Sequence, residues 1–89
     1  MSRFDVRVEV SLRPGIADPE GSTIERALPA LGFTGVHGVR MGKAIRFGVE
    51  ADHEAEARHT AEELCQRLLV NPVIEDAQVE VAPAAGELR

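Results

Sequence analysis

The sequence predicts an α+β domain of ferredoxin-like type. The expected element order is β-α-β-β-α-β, with a four-stranded antiparallel sheet in the order 4-1-3-2 and two helices on one face. Three observations predict it. Phe4, Val6, Val8, Val10 and Leu12 share one parity with polar or charged residues between them, the period-2 signature of a strand with one buried face. Two stretches, near 19–31 and 53–70, carry apolar residues at helical spacing behind an acidic first turn. Between them, residues 36–50 read as strand, turn and strand, which splits the chain into two similar halves. Right-handed crossovers then place both helices on one side, the long first strand in the middle and the second and fourth strands at the edges.

The first strand, residues 3–13, turns Arg3, Asp5, Arg7, Glu9, Ser11 and Arg13 to its other side. That mixed-charge face suits water or a wet interface, so the sheet is expected to be covered on one side only. Pro14-Gly15 ends the strand. Asp18-Pro19-Glu20 has the order N-cap, first-turn proline, first-turn acid that opens a helix. Ile24, Ala27, Leu28 and Leu31 form its stripe, and Gly32 stops it. Pro29 costs about 3 kcal/mol in a helix interior, so the last turn bends or the helix ends early; the stripe favours a bend.

Val36 and Val39 mark a second strand with an irregularity near Gly38, because the two have opposite parity. Met41-Gly42-Lys43 is the expected turn, with Gly42 supplying the positive φ that such a turn demands. Ile45, Phe47 and Val49 give the third strand, and the hairpin register sets Arg40 and Arg46 on its outward side. Asp52 caps a second helix over 53–70, with Glu54 and Glu56 in its first turn and Ala57, Ala61, Leu64, Cys65 and Leu68 as its buried stripe. Asn71-Pro72 ends that helix. The last strand, 73–82, alternates Ala77, Val79 and Val81 with Gln78 and Glu80. The whole reads as one domain over 1–82 with a frayed tail at 83–89.

At 89 residues the chain builds only a small core, which points to an oligomer or a subunit, and exposed sheet edges offer a route to a dimer. A formal charge of −5, no Trp, no Tyr and three Phe give neither a basic field nor a stacking platform for nucleic acid. One Cys excludes an internal disulfide, and no run approaches the roughly 20 apolar residues of a membrane span, so the expected compartment is the cytoplasm.

Residues with chemical potential fall short of catalytic constellations. His53 and His59 are six apart and point to different sides of a helix, unlike the four-residue spacing of a zinc helix. His37 has no Ser, Cys or Asp placed to partner it, and Cys65 lies deep in a helix, where a thiol packs as a small hydrophobe. The stretch from Gly38 to Ala44 has three residues between its glycines and Ala after Lys43, which is no phosphate loop. What remains is local positive charge at Arg40, Lys43 and Arg46, either a solvated hairpin tip or a dock for an acidic surface or phosphate. Glu75 and Asp76 are adjacent on a strand, face opposite sides and do not make a carboxylate pair.

Three fragments carry a resemblance: Asp18-Pro19-Glu20-Gly21, Val39-Arg40-Met41-Gly42-Lys43, and Asn71-Pro72-Val73-Ile74-Glu75-Asp76. With the length and element order, they make the chain, from about residue 4 to 81, resemble PurS, the small subunit of phosphoribosylformylglycinamidine synthase in de novo purine biosynthesis. Two departures are Ala77, where an aromatic often follows the acidic pair, and Pro29 within the first helix. The resemblance implies a non-catalytic dimer, or higher homo-oligomer, that bridges two partners. One is a large synthetase subunit binding ATP, with Mg; the other is a glutaminase subunit whose ammonia is delivered to formylglycinamide ribonucleotide. No cofactor is implied in this chain. Carried over to this sequence, Arg40, Gly42, Lys43, Asn71, Glu75 and Asp76 are candidate interface or loop-shaping positions, and Asp18, Pro19 and Gly32 are structural punctuation.

Two other classes compete at the level of residues. One is a dimeric ferredoxin-like regulatory module that resembles ACT domains and holds a small metabolite; tight binding of amino acids or purine precursors would mark it. The other is a small enzyme resembling acylphosphatases. It needs an anion-cradling loop after the first strand, whereas residues 14–19 carry no Arg and end acidic.

Overall fold

A computed structural model describes residues 1–84 of the chain. Its elements are β1 (Ser2–Leu12), α1 (Pro19–Ala27), a 3₁₀ turn (Pro29–Leu31), β2 (Gly42–Ala51), α2 (Glu54–Leu64), a π-helical turn (Cys65–Leu69) and β3 (Glu75–Pro83). The sheet is antiparallel and three-stranded in the order β2-β1-β3. The expected fraying of the tail falls, for residues 85–89, outside the described residues.

The four-stranded expectation is therefore wrong, and the missing member is the strand expected around Val36 to Val39. Gly32 and Gly38 take φ of 92° and 69°, left-handed values that no strand accommodates. The donors of this segment are also committed elsewhere: the Val39 N–H goes to the Glu25 carboxylate at 2.9 Å and the Met41 N–H to that of Asp18 at 2.8 Å. Nor do Met41, Gly42 and Lys43 form a turn, since Gly42 and Lys43 already pair with Ser11 and Val10 of β1. Gly42 has an ordinary φ, and its missing side chain serves another purpose: a Cβ there would sit 2.8 Å from the Val10 carbonyl. With no hairpin, no hairpin register sets Arg40 and Arg46 on a common outward side. Removing the absent strand from the order 4-1-3-2 leaves the order observed.

Only α2 covers the sheet; α1 packs against no strand beyond token contact among the described residues. The second half of the expectation, two helices on one face, is corrected with the first. Phe4, Val6, Val8 and Val10 of β1 meet Val49 and Ala51 of β2, Ala57 and Ala61 of α2, and Cys65 of the π-helical turn in one small core. Ala57 and Ala61, four apart and fully buried, let the helix backbone come close to the strands. Burial pushes the Cys65 thiol above its ordinary pKa, with the Glu62 carboxylate adding to the effect, which suits packing rather than nucleophilic chemistry.

Both helices depart from their expected ends. Pro29 ends α1 early, and the chain continues as a 3₁₀ turn closed by Gly32, leaving Ile24 and Leu31 42% and 69% exposed. His53, not Asp52, caps α2: its Nδ1 accepts from the Glu56 N–H, while the Asp52 N–H donates to the Glu56 carboxylate at 2.8 Å. At the far end the Val70 N–H reaches back five residues to the Cys65 carbonyl. That wider turn shifts the stripe by one residue, so Leu69 packs on the core and Leu68 stands 76% exposed.

The protomer is long and thin, 53 × 33 × 15 Å, with a radius of gyration of 16.9 Å. A compact chain of this length would give about 12 Å. The excess arises because α1 does not fold back over the strands, and apolar residues on and after it stay in solvent.

Candidate partner interface at one end of the sheet

Asp18 organises the end of the sheet where β1 stops and β2 begins. As the N-cap of α1 its Oδ1 accepts the Gly21 N–H at 2.9 Å, while its Oδ2 accepts the Met41 N–H at 2.8 Å. Arg40 stands beside the same oxygen, Nε to Oδ2 3.8 Å, and donates to the Leu12 carbonyl at 3.2 Å. The Asp18 side chain is only 8% exposed. One carboxylate thus ties three segments together: the end of β1, the start of α1 and the run into β2. Gly21 is required by the same closeness, because a Cβ there would lie 2.6 Å from the Val39 carbonyl and 2.7 Å from Asp18 Oδ2.

The helix-to-strand connection closes the other side. Glu75, first residue of β3, accepts the Asn71 N–H at 2.8 Å and faces Lys43 Nζ at 4.0 Å. Asn71 Oδ1 accepts the Val73 N–H at 3.1 Å, an Asx turn that shapes the loop. Arg13 reaches the Pro72 carbonyl at 2.9 Å and lies 3.6 Å from Asp76. Between these groups lies a notch of about 280 Å³ lined by Asp18, Glu20, Met41, Lys43 and Glu75 among others.

The structure thus brings Arg40, Gly42, Lys43, Asn71 and Glu75 to one end of the sheet, although they come from two segments about 30 positions apart. Asp76 is at the same end but pairs with Ser11 and turns to the opposite face from Glu75. Lys43 does not point away from the core side: it pairs with Val10 and shares that residue's face. Arg40 and Lys43 each stand beside a carboxylate, so this end is not an isolated basic patch. His37 is exposed in the segment before β2. Asp18, read from sequence as punctuation, is the centre of the arrangement, and Arg13 and Glu25 join it. Only the capping role of Asp18 had a local signal; its second bond, to Met41, spans 23 positions.

Two backbone donors, Gly21 first and Met41 second, hold the Asp18 carboxyl below its usual 3.8, and Arg40 adds a smaller pull. A depressed carboxylate stabilises the fold above its unfolded pKa, and that stability is lost as pH falls through the lower folded value. Asp18→Asn keeps one acceptor for Gly21 but turns an amide donor towards the Met41 N–H. We expect a lower thermal midpoint at neutral pH and a smaller dependence on pH below 3.8 than in the parent chain, read by circular dichroism across a pH series.

Comparison with known proteins places the chain in a family. The family model described as PurS: Phosphoribosylformylglycinamidine (FGAM) synthase matches residues 5–83. The phosphoribosylformylglycinamidine synthase subunit PurS of Methanocaldococcus jannaschii is 40% identical, over 88% of this chain and 94% of the relative. That of Bacillus subtilis is 37% identical, over 94% and 99%. Among solved structures, PurLQS from Thermotoga maritima has a chain that superposes with a TM-score of 0.85 at 36% identity, covering 92% of this chain and all of that one. The Methanocaldococcus jannaschii PurS crystal structure gives 0.82 at 37% identity, over 91% and 98%. On the match of the family model to nearly its whole length, the chain belongs to the PurS family, a subunit of phosphoribosylformylglycinamidine synthase in purine biosynthesis.

Proposed function

We propose that the chain is the non-catalytic small subunit of its synthase, a homodimer that bridges a glutaminase subunit and an ATP-dependent synthetase subunit. It provides contact surface so that glutamine-derived ammonia reaches formylglycinamide ribonucleotide. ATP and Mg belong to the large subunit in this reading, and the compartment is the cytoplasm. No helix of the described residues is long and apolar enough to cross a membrane.

One observation carries the proposal: the likeness to a chain of the solved PurLQS from Thermotoga maritima runs the full length of that chain. The end of the sheet built around Asp18 supports it with a fixed surface, because its charged groups are held by ion pairs and backbone bonds rather than free to collapse. Arg40, Gly42, Lys43, Asn71, Glu75 and Asp76 are the contact or loop-shaping residues of this reading. The ACT-like regulatory alternative gains nothing from family membership.

The test is reconstitution. Added to the large and glutaminase subunits, the purified chain is expected to restore glutamine-dependent synthesis, while alone it hydrolyses neither glutamine nor ATP. Turnover by the chain alone, or synthesis indifferent to its presence, would contradict the proposal.

A further inference from the structure

We infer that the open face of the sheet carries a binding site for a small phosphomonoester, its phosphoryl group held over Gly48 between the guanidinium groups of Arg3 and Arg46. The inference does not depend on the small-subunit reading above and adds to it a ligand site on this chain.

The side chains that turn away from α2 form rows across the strands. Asp5 stands opposite Gly48 of β2 and Ala82 of β3, so that row is low beside its neighbours. The rows on either side are tall: Arg3 stands opposite Glu50, and Arg7 lies between Arg46 and Glu80. The difference in height leaves a hollow of about 500 Å³ whose lining includes Arg3, Asp5, Arg7, Arg46, Gly48 and Glu80. That volume falls within the range of small-molecule sites.

Three guanidinium groups meet in this hollow on a chain whose formal charge is −5. Arg7 is matched by Glu9 at 3.3 Å and Glu80 at 3.9 Å. Arg3 and Arg46 join no ion pair among the described residues. Glu50 is directly opposite Arg3, yet the Arg3 side chain lies over Gly48 instead: a Cβ there would sit 2.9 Å from its Nε and 3.3 Å from its Nη2. Arg46 faces Arg7 across the strands, a like-charge pair that an anion between them and Arg3 relieves. Two unmatched guanidinium forks thus border one bare stretch of backbone, an arrangement suited to a tetrahedral group with several acceptor oxygens. Arg40 and Lys43, by contrast, already stand beside carboxylates.

Charge sets the class of ligand. Asp5 and Glu80 offset two of the three arginines, which leaves one positive charge in excess and confines the phosphoryl group to the Gly48 side of the hollow. A free ester fits that balance. An anionic lipid surface does not, because it would repel a chain of charge −5 as a whole.

The test is calorimetric titration of the full chain with ribose 5-phosphate, at an ionic strength held constant with chloride. One saturable site per chain is expected. Arg3→Ala and Arg46→Ala each weaken it about ten-fold or more, and Arg46→Lys, which keeps the charge and loses the fork, weakens it less. Asp5→Asn removes a repelling carboxylate and tightens binding about three-fold, a gain that loss of packing does not give. Far-UV circular dichroism is read on each variant; if an alanine variant unfolds, Arg46→Lys and Asp5→Asn carry the comparison. Absence of saturable binding, equal binding of ribose, affinity unchanged in the arginine variants, or capture by phosphatidic acid vesicles without binding of ribose 5-phosphate would overturn the inference. Restored synthesis in the reconstituted assembly reports separately on the small-subunit reading.

Discussion

Gly21→Val takes apart the end of the sheet while the sheet itself stays folded. The new Cβ meets the Val39 carbonyl at 2.6 Å and the Asp18 carboxylate at 2.7 Å, distances that real Cβ atoms do not tolerate. One of these contacts is backbone, so the 39–41 segment must move off α1. The bonds from Val39 to Glu25 and from Met41 to Asp18 go with it. Overpacking of this kind costs about 1–3 kcal/mol. Hydrogen exchange separates the two levels: the Val39 and Met41 amides become fast, while the β1 amides of Val6 and Val8 stay slow. Assembly with the partner subunits should weaken about ten-fold or more if the full cost falls on the bound state. Slow exchange at Val39 and Met41 in the variant would show that Asp18 does not hold this end together.

The second large effect is in the core. Val8 is fully buried at the centre of β1, and among the described residues Val8 and Val10 are the largest side chains enclosed so completely. Val8→Ala leaves a cavity between β1 and α2 and costs about 2–4 kcal/mol, a large share of the stability of so small a domain. At about 4–8 °C per kcal/mol for a domain of this size, the thermal midpoint falls by about 8 °C or more. Leu68→Ala is the matched control. Its side chain is 76% exposed, so fold stability changes by less than about 0.5 kcal/mol. Equal losses at both positions would mean that the π-helical turn does not shift the stripe of α2.

These two positions also mark how far the sequence could be read. Alternation along β1 was legible because its apolar side chains recur at every second residue, and the register with β2 and β3 follows that pattern. The stripe of α2 was legible as far as Cys65 and misled at Leu68, because one i→i+5 bond shifts a helical pattern without any residue announcing it. The strand expected at Val36 to Val39 failed for a related reason. Its apolar residues suggested a strand, but glycines in left-handed conformation and side-chain acceptors from α1 decided its path. Those acceptors lie 14 and 23 positions away, beyond the reach of local pattern.

The candidate interface was legible as three fragments and not as a place. Spacing alone could not say that Lys43 would meet Glu75, 32 positions on, or that Asp76 would turn to the other face. The position of Asp18 before Pro19 identified a helix cap, but the second oxygen of a capping carboxylate carries no sequence signature. The edges were expected to be the second and fourth strands; with the strand around 36–39 absent, β2 becomes an edge, and at the other edge Arg58 donates to the Val79 carbonyl.

Hydrogen–deuterium exchange of this chain, free and in the reconstituted assembly with both partner subunits, addresses the surface itself. Protection on assembly is expected together at residues 18–21, 39–43 and 71–76. Protection confined to the solvent face of α2, with those three segments exchanging as fast in the assembly as in the free chain, would contradict it.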